Sequence, residues 1–125
     1  YTYQQALDVT NSDPASEEGR TYKHQIAYTP RVSGSGQVGI KTSWVNLSYS
    51  FLFSGKRYTQ GENITENRME SYSDHSISVG RELTIRKINT SIHIEVLNIA
   101  NNNYEIIKNF PMPGRSVRAT FSIKY

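Results

Sequence analysis

Apolar and polar residues alternate with a period of two along most of this chain, as in strands whose two faces meet different surroundings. Near the end, Val117, Ala119, Phe121, Ile123 and Tyr125 interleave with Arg118, Thr120, Ser122 and Lys124. In residues 44–54, Val45, Leu47, Tyr49, Phe51 and Phe53 share one face, opposite Asn46, Ser48, Ser50, Leu52 and Ser54. Weaker alternation runs through residues 1–10 (Tyr1, Tyr3, Leu7, Val9) and 32–41 (Val32, Val38, Ile40, with Gly34 and Gly36 in register). It recurs in 76–83 (Ile77, Val79, Leu83, interrupted by Arg81) and 90–99 (Ile92, Ile94, Val96). The pattern predicts six strands and no amphipathic helix, an all-β antiparallel fold.

The predicted connections alternate in length. Residues 11–31, 55–73 and 100–114 form long polar loops, while Thr42-Ser43 and Arg86-Lys87-Ile88 are tight links. Long outer loops and short inner turns are the rhythm of an outer-membrane β-barrel, whose strands of about 10 residues cross an apolar band ~25 Å tall. Aromatic residues fall near predicted strand ends: Tyr1, Tyr3, Trp44 and Tyr125 towards one interface, and Phe51, Phe53 and Tyr58 towards the other, as in aromatic girdles. A soluble β-sandwich also alternates and is the competing expectation from pattern alone.

Composition narrows the classes. The 125 residues are 20% charged with a formal net charge of +3, and Lys and Arg are scattered, which gives no basic face for nucleic acid. Without cysteine there is no disulfide, thiolate metal site or Cys nucleophile. No run approaches the ~18 apolar residues of a membrane-spanning helix, and residues 1–10 lack the pattern of a signal peptide. A start at Tyr1-Thr2-Tyr3, inside a strand-like pattern, points to a piece of a longer protein.

Two stretches carry a resemblance. Val96-Leu97-Asn98-Ile99-Ala100-Asn101-Asn102-Asn103-Tyr104-Glu105 is followed by Asn109-Phe110-Pro111-Met112-Pro113-Gly114-Arg115. Together they resemble the C-terminal signature of TonB-dependent outer-membrane receptors. There a strand ending in an Asn-aliphatic pair leads to an Asn/Asp-x-Tyr loop, and a Pro-x-Pro-Gly-Arg turn opens the last strand. Ile26-Ala27-Tyr28-Thr29-Pro30-Arg31 and Gly55-Lys56-Arg57-Tyr58 look like the opening of an inward strand and the close of an outward one. Ala100 and Asn102 depart from the usual polar or bulky loop residues.

The resemblance is nearest to Bacteroidota members of the cobalamin and siderophore type. It implies that residues 1–125 are the last six or so strands of a 22-stranded transmembrane barrel, with the plug and earlier strands absent. The implied activity is active import of a scarce large nutrient, cobalamin or an iron–siderophore, across the outer membrane of a Gram-negative bacterium. The implied partners are the remaining strands and plug of the same receptor, TonB acting through the plug, and outer-membrane lipid. A surface lipoprotein would join them in the glycan-importing, starch-utilisation branch. Nucleic acid is not among the expected partners. Val117, Ala119, Phe121, Ile123 and Tyr125 match the terminal aromatic signal read by the barrel-assembly machinery. Asn98, Tyr104, Pro111, Pro113, Gly114 and Arg115 are the family's turn motif.

The residues support a plainer reading of the same motif. Pro111 and Pro113 fix φ and remove a donor, which keeps them out of a central ladder. Gly114 is free to take a positive φ before the last strand. Candidate substrate-facing residues at loop tips are Tyr58, Arg68, Tyr72, Asn103, Tyr104 and Lys108. His24, His75 and His93 have no partner at metal-ligand spacing, and His93 is expected on the polar face of its strand. Glu17, Glu18, Glu62, Glu66 and Glu70 fall mainly in loops with no catalytic constellation, so neither enzyme activity nor a cofactor is expected. The sequons at Asn46, Asn63 and Asn89 carry no meaning on a bacterial surface.

Overall fold

The structure, a computed structural model, describes residues 2–9, 21–85 and 88–124. Its strands are β1 (Thr2–Tyr3), β2 (Val32–Lys41), β3 (Asn46–Ser54), β4 (Arg57–Tyr58) and β5 (Arg68–Met69), then β6 (Tyr72–Ile85), β7 (Ile88–Leu97), β8 (Glu105–Ile107), β9 (Phe110–Pro111) and β10 (Ser116–Lys124). A 3-10 turn spans Thr65–Asn67. Six strands form one antiparallel sheet in the order β1-β2-β3-β6-β7-β10, and β4–β5 and β8–β9 are separate two-stranded ladders. The predicted all-β class and antiparallel pairing are therefore present, and the described residues form no closed barrel.

The chain forms two compact units. The first contains Tyr1–Gly34, Phe53–Tyr72 and Tyr104–Met112; the second contains Ser35–Leu52, Ser73–Asn103 and Pro113–Tyr125.

In the second unit, the strand register reproduces the alternation of the sequence. On one face of β6, β7 and β10 the rows are Ile77–Val96–Val117, Val79–Ile94–Ala119, Arg81–Ile92–Phe121 and Leu83–Thr90–Ile123. On the other they are Ser78–Glu95–Arg118, Gly80–His93–Thr120, Glu82–Ser91–Ser122 and Thr84–Asn89. Side-chain hydrogen bonds bind the polar face together, Ser48 Oγ to Ser78 Oγ at 2.5 Å and Thr84 Oγ1 donating to Asn89 Oδ1 at 2.7 Å. β2 joins β3 through a turn in which Thr42 N donates to Val45 O, and Thr42 Oγ1 accepts from Trp44 N and Val45 N. This short polar clasp leaves Trp44 exposed.

Burial runs opposite to that of a water-soluble sheet. Val117 is 69% exposed and Phe121 62%, while Ser78 is buried. Leu47, Tyr49, Ile77, Val79, Ile92, Ile94 and Ile123 are exposed as well. Among the described residues Met69 is the buried large apolar side chain, whereas Gln25, Arg57, Asn67, Ser78 and Asn98 are buried polar ones.

In the first unit, residues 4–8 zip irregularly against 24–31. Gln4 N donates to Arg31 O, Ile26 N to Ala6 O and Asp8 N to His24 O, with one bridge at Leu7↔Gln25. The strand expected over residues 1–10 is thus reduced to Thr2–Tyr3 within the described residues, Tyr1 and Thr10 lying outside them. Its register also corrects the expected girdle. Tyr3 pairs with Val32 at the start of β2, whereas Trp44 follows the end of β2, so the two do not share a strand end. The long loops expected over 55–73 and 100–114 contain the short ladders β4–β5 and β8–β9, because each segment returns on itself and pairs its own backbone groups.

Candidate functional site

In the first unit the guanidinium of Arg57, only 3% exposed, is the centre around which the loop residues gather. Nη1 donates to Glu70 O at 3.4 Å, and Nη2 donates to Ile106 O at 3.3 Å and to Glu105 O. Its Cζ lies 5.1 Å from the centroid of the Tyr72 ring, and Tyr72 stacks on Tyr104 with centroids 4.3 Å apart and planes inclined by 6°. Arg57 on β4, Glu70 just after β5, Tyr72 at the start of β6, and Glu105 and Ile106 on β8 are thus drawn together by one cation. A buried cation needs such acceptors, since charge-assisted bonds offset part of its lost hydration.

Beside this group lies a hollow of about 410 Å³ lined by Tyr28, Ser54, Arg57, Tyr72, Ile106 and Ile107. Several charges of the same unit have partners. Arg68 meets Glu70 at 2.8 Å, Lys56 meets Glu70 at 3.9 Å, and Lys108 Nζ donates to Glu66 O at 2.6 Å.

The family-like turn lies mostly in the second unit, and it is a clasp. Asn98, 2% exposed and at φ 49°, donates through Nδ2 to Asn102 O at 2.9 Å and Pro113 O at 3.3 Å. Its Oδ1 accepts from Asn102 N at 2.9 Å. Asn101, at φ 53°, accepts from Arg115 N through Oδ1 at 2.9 Å, and Arg115 Nε donates to Ile99 O at 3.0 Å. One amide group thereby ties the end of β7 to the approach to β10. Gly114 does not take the positive φ expected of it; among the described residues no glycine does. Its lack of a side chain serves a close approach instead, because a Cβ there would stand 2.9 Å from Asn101 Oδ1. The left-handed positions belong to Asn98 and Asn101.

No family model matches the chain, and no curated protein does.

Of the candidate substrate-facing residues, Tyr58, Arg68, Tyr72, Tyr104 and Lys108 all fall in the first unit. Tyr58 and Arg68 are paired across β4–β5, and Tyr72 and Tyr104 form the stacked pair. Asn103 falls in the second unit, exposed at the end of the clasp. In the assembly-signal set, Val117, Ala119, Phe121 and Ile123 share the exposed apolar face of β10, while Tyr125 lies outside the described residues.

Pro111 sits in the two-residue strand β9, paired with Glu105. Asn109 at φ 67° turns the β8–β9 hairpin, and Met112 N donating to Tyr104 O closes it. His93 lies on the polar face, 3.5 Å from Glu95, whose carboxylate also receives Arg118 Nε at 2.7 Å. His75 hydrogen-bonds Tyr49 OH at 2.6 Å, and His24 Nδ1 accepts from Asn63 N at 3.4 Å. Among the described residues no group of three metal-ligating side chains occurs.

Arg57 escaped the sequence reading as a site residue. It lies in the quoted Gly55-Lys56-Arg57-Tyr58 run, but a basic pair after a strand looks like an ordinary solvated end. The one available signal was position: Arg57 is the second of two adjacent cations at a predicted strand-to-loop boundary.

Proposed function

We propose that this chain is part of the wall and outer loops of a transmembrane β-barrel in the outer membrane, in a transporter of the TonB-dependent type. The observation that carries the reading is the inverted sheet: apolar residues are exposed on one face while hydroxyl, amide and charged groups bond to one another on the other. Contiguous apolar surface of this extent is costly in water and favourable against lipid tails. A soluble β-sandwich would bury these rows against a second apolar sheet. The other ladders here are only two strands each.

The apolar positions of β6 from Ile77 to Leu83, with His75 and its Tyr49 and Phe51 neighbours beyond, give a strand of the height needed for a hydrocarbon core. β10 and, past its two-residue pairing with β1, the outer side of β2 are sheet edges, which further strands of the same barrel would close, since open edges do not persist in hydrocarbon. The plug, TonB and lipid are the partners this reading requires. Cobalamin or an iron–siderophore is the proposed cargo, on the strength of the turn motif alone.

The experiment is spin-label accessibility in the full-length protein in bilayers. Labels at Ile92, Ile94 and Phe121 should be relaxed by oxygen, which concentrates in lipid, and those at Ser91, His93 and Thr120 by a water-soluble nickel chelate. Aqueous relaxation at both sets would rule the barrel out. Uptake of labelled cobalamin and of a ferric siderophore by cells with and without the gene then decides the cargo.

A further inference from the structure

We propose that the hollow beside Arg57 is a binding site for a small organic carboxylate with an apolar or aromatic body. The inference goes beyond the barrel reading and does not depend on it, because every lining residue belongs to the first unit.

The first argument is charge. A guanidinium has five N–H donors. The three hydrogen bonds to Glu70 O, Glu105 O and Ile106 O occupy one donor on Nη1 and both on Nη2. Nε–H and the second Nη1–H have no acceptor among the described residues. The acceptors present are carbonyl dipoles, which orient the group without neutralising it. No ion pair to Arg57 occurs among the described residues, and the carboxylate of Glu70, whose carbonyl Arg57 holds, meets Lys56 and Arg68 instead. A cation that is 3% exposed, rigidly held and lacking a counter-charge attracts an anion strongly, and the planar fork suits a carboxylate.

The second argument is shape. The hollow's volume, about 410 Å³, falls in the range of small-molecule sites. Ile106 and Ile107 supply apolar walls, Tyr28 and Tyr72 add rings, and Ser54 adds a hydroxyl. One fixed charge, a few hydroxyls and apolar walls select a molecule with one anionic end. The Tyr72–Tyr104 stack supports the floor, because Tyr72 stacks on Tyr104 and also lies beside the guanidinium. Tyr72 and Arg57 therefore have little freedom to lose on binding, which favours affinity.

The test uses the full-length protein in detergent, with 2-naphthoate as probe and the uncharged 2-naphthamide as its control, titrated by fluorescence. Arg57→Gln removes the charge but also three structural hydrogen bonds, so a misfolded protein would leave that variant uninformative. Ile107→Glu avoids this: Ile107 is half exposed, and a carboxylate there would compete for Arg57 while sparing the carbonyl bonds. The expected result is saturable binding of 2-naphthoate about tenfold tighter than of 2-naphthamide, reduced about tenfold by Ile107→Glu and retained in Ile107→Gln. Equal binding of the two probes, or undiminished naphthoate binding by Ile107→Glu, would overturn the proposal.

Discussion

Gly80 and His93 face each other across β6 and β7 on the polar side of the sheet, and a Cβ on Gly80 would lie 2.8 Å from His93 Nδ1. The glycine makes room for the imidazole, which approaches Glu95 Oε1 at 3.5 Å. Gly80→Ala should cost about 1–2 kcal/mol, as overpacking does, because the ring must swing aside. The clash ends in a side chain, so His93→Ala should restore most of the loss. Chemical unfolding of both single variants and the double variant checks this; an equal cost of Gly80→Ala in both backgrounds would refute the pairing.

Gly55 poses a harder version of the same problem. Its N–H donates to Val32 O at 2.8 Å, and a Cβ would stand 2.8 Å from that same oxygen. The obstacle is backbone, which no rotamer change can relieve. Gly55→Ala should cost about 2–3 kcal/mol. Gly36, with nothing within 4 Å of its would-be Cβ, should accept Ala with no loss or a gain of about 0.5 kcal/mol. Thermal or urea midpoints of the two variants give the comparison.

The clasp at Asn98 can be divided into its components. Asn98→Gly preserves the left-handed backbone but loses the amide's bonds to Asn102 and Pro113. Asn98→Ala loses both. At about 1 kcal/mol for each net hydrogen bond and another for a left-handed alanine, the order of stability should be wild type, then Gly, then Ala. Urea unfolding ranks the three; a more stable Ala variant would mean that backbone conformation matters little here.

The two faces of the sheet should differ in tolerance of charge. Ile94 occupies a central apolar row and Ser91 the polar face. On the barrel reading, Ile94→Arg should destabilise the protein in bilayers by about 2–4 kcal/mol, while Ser91→Arg should change it little. Unfolding titrations in vesicles measure both. Equal tolerance would place both faces in water.

The register of β6, β7 and β10 was legible in the sequence because every second residue is apolar, and a slip by one residue would invert both faces. The tight link at 42–45 was legible for a related reason: alternation resumes within a few residues, while Arg86 and Lys87 of the other expected link lie outside the described residues. The loop cluster was only half legible. Tyr58, Arg68, Tyr72, Tyr104 and Lys108 stood out as loop-tip candidates, but nothing in the chain foretold that Arg57 would be buried. Its partners Glu70, Glu105 and Ile106 are supplied by main-chain carbonyls, which every residue possesses and no composition betrays.

The roles of Gly114 and of the first strand were settled in the same way, by contacts between residues distant along the chain. A glycine suits a positive φ and a close approach equally well, and only the position of Asn101 Oδ1 distinguishes them. Residues 1–10 alternate like a strand, yet the described part pairs with residues 24–33, because the available backbone partners decide where a short alternating segment docks. Sequence by itself therefore determined the strand period, the two chemically distinct faces and the places where the chain turns. Tertiary structure decided the buried cation, the hollow beside it and the clasp, since each depends on main-chain geometry gathered from segments that local pattern cannot bring together.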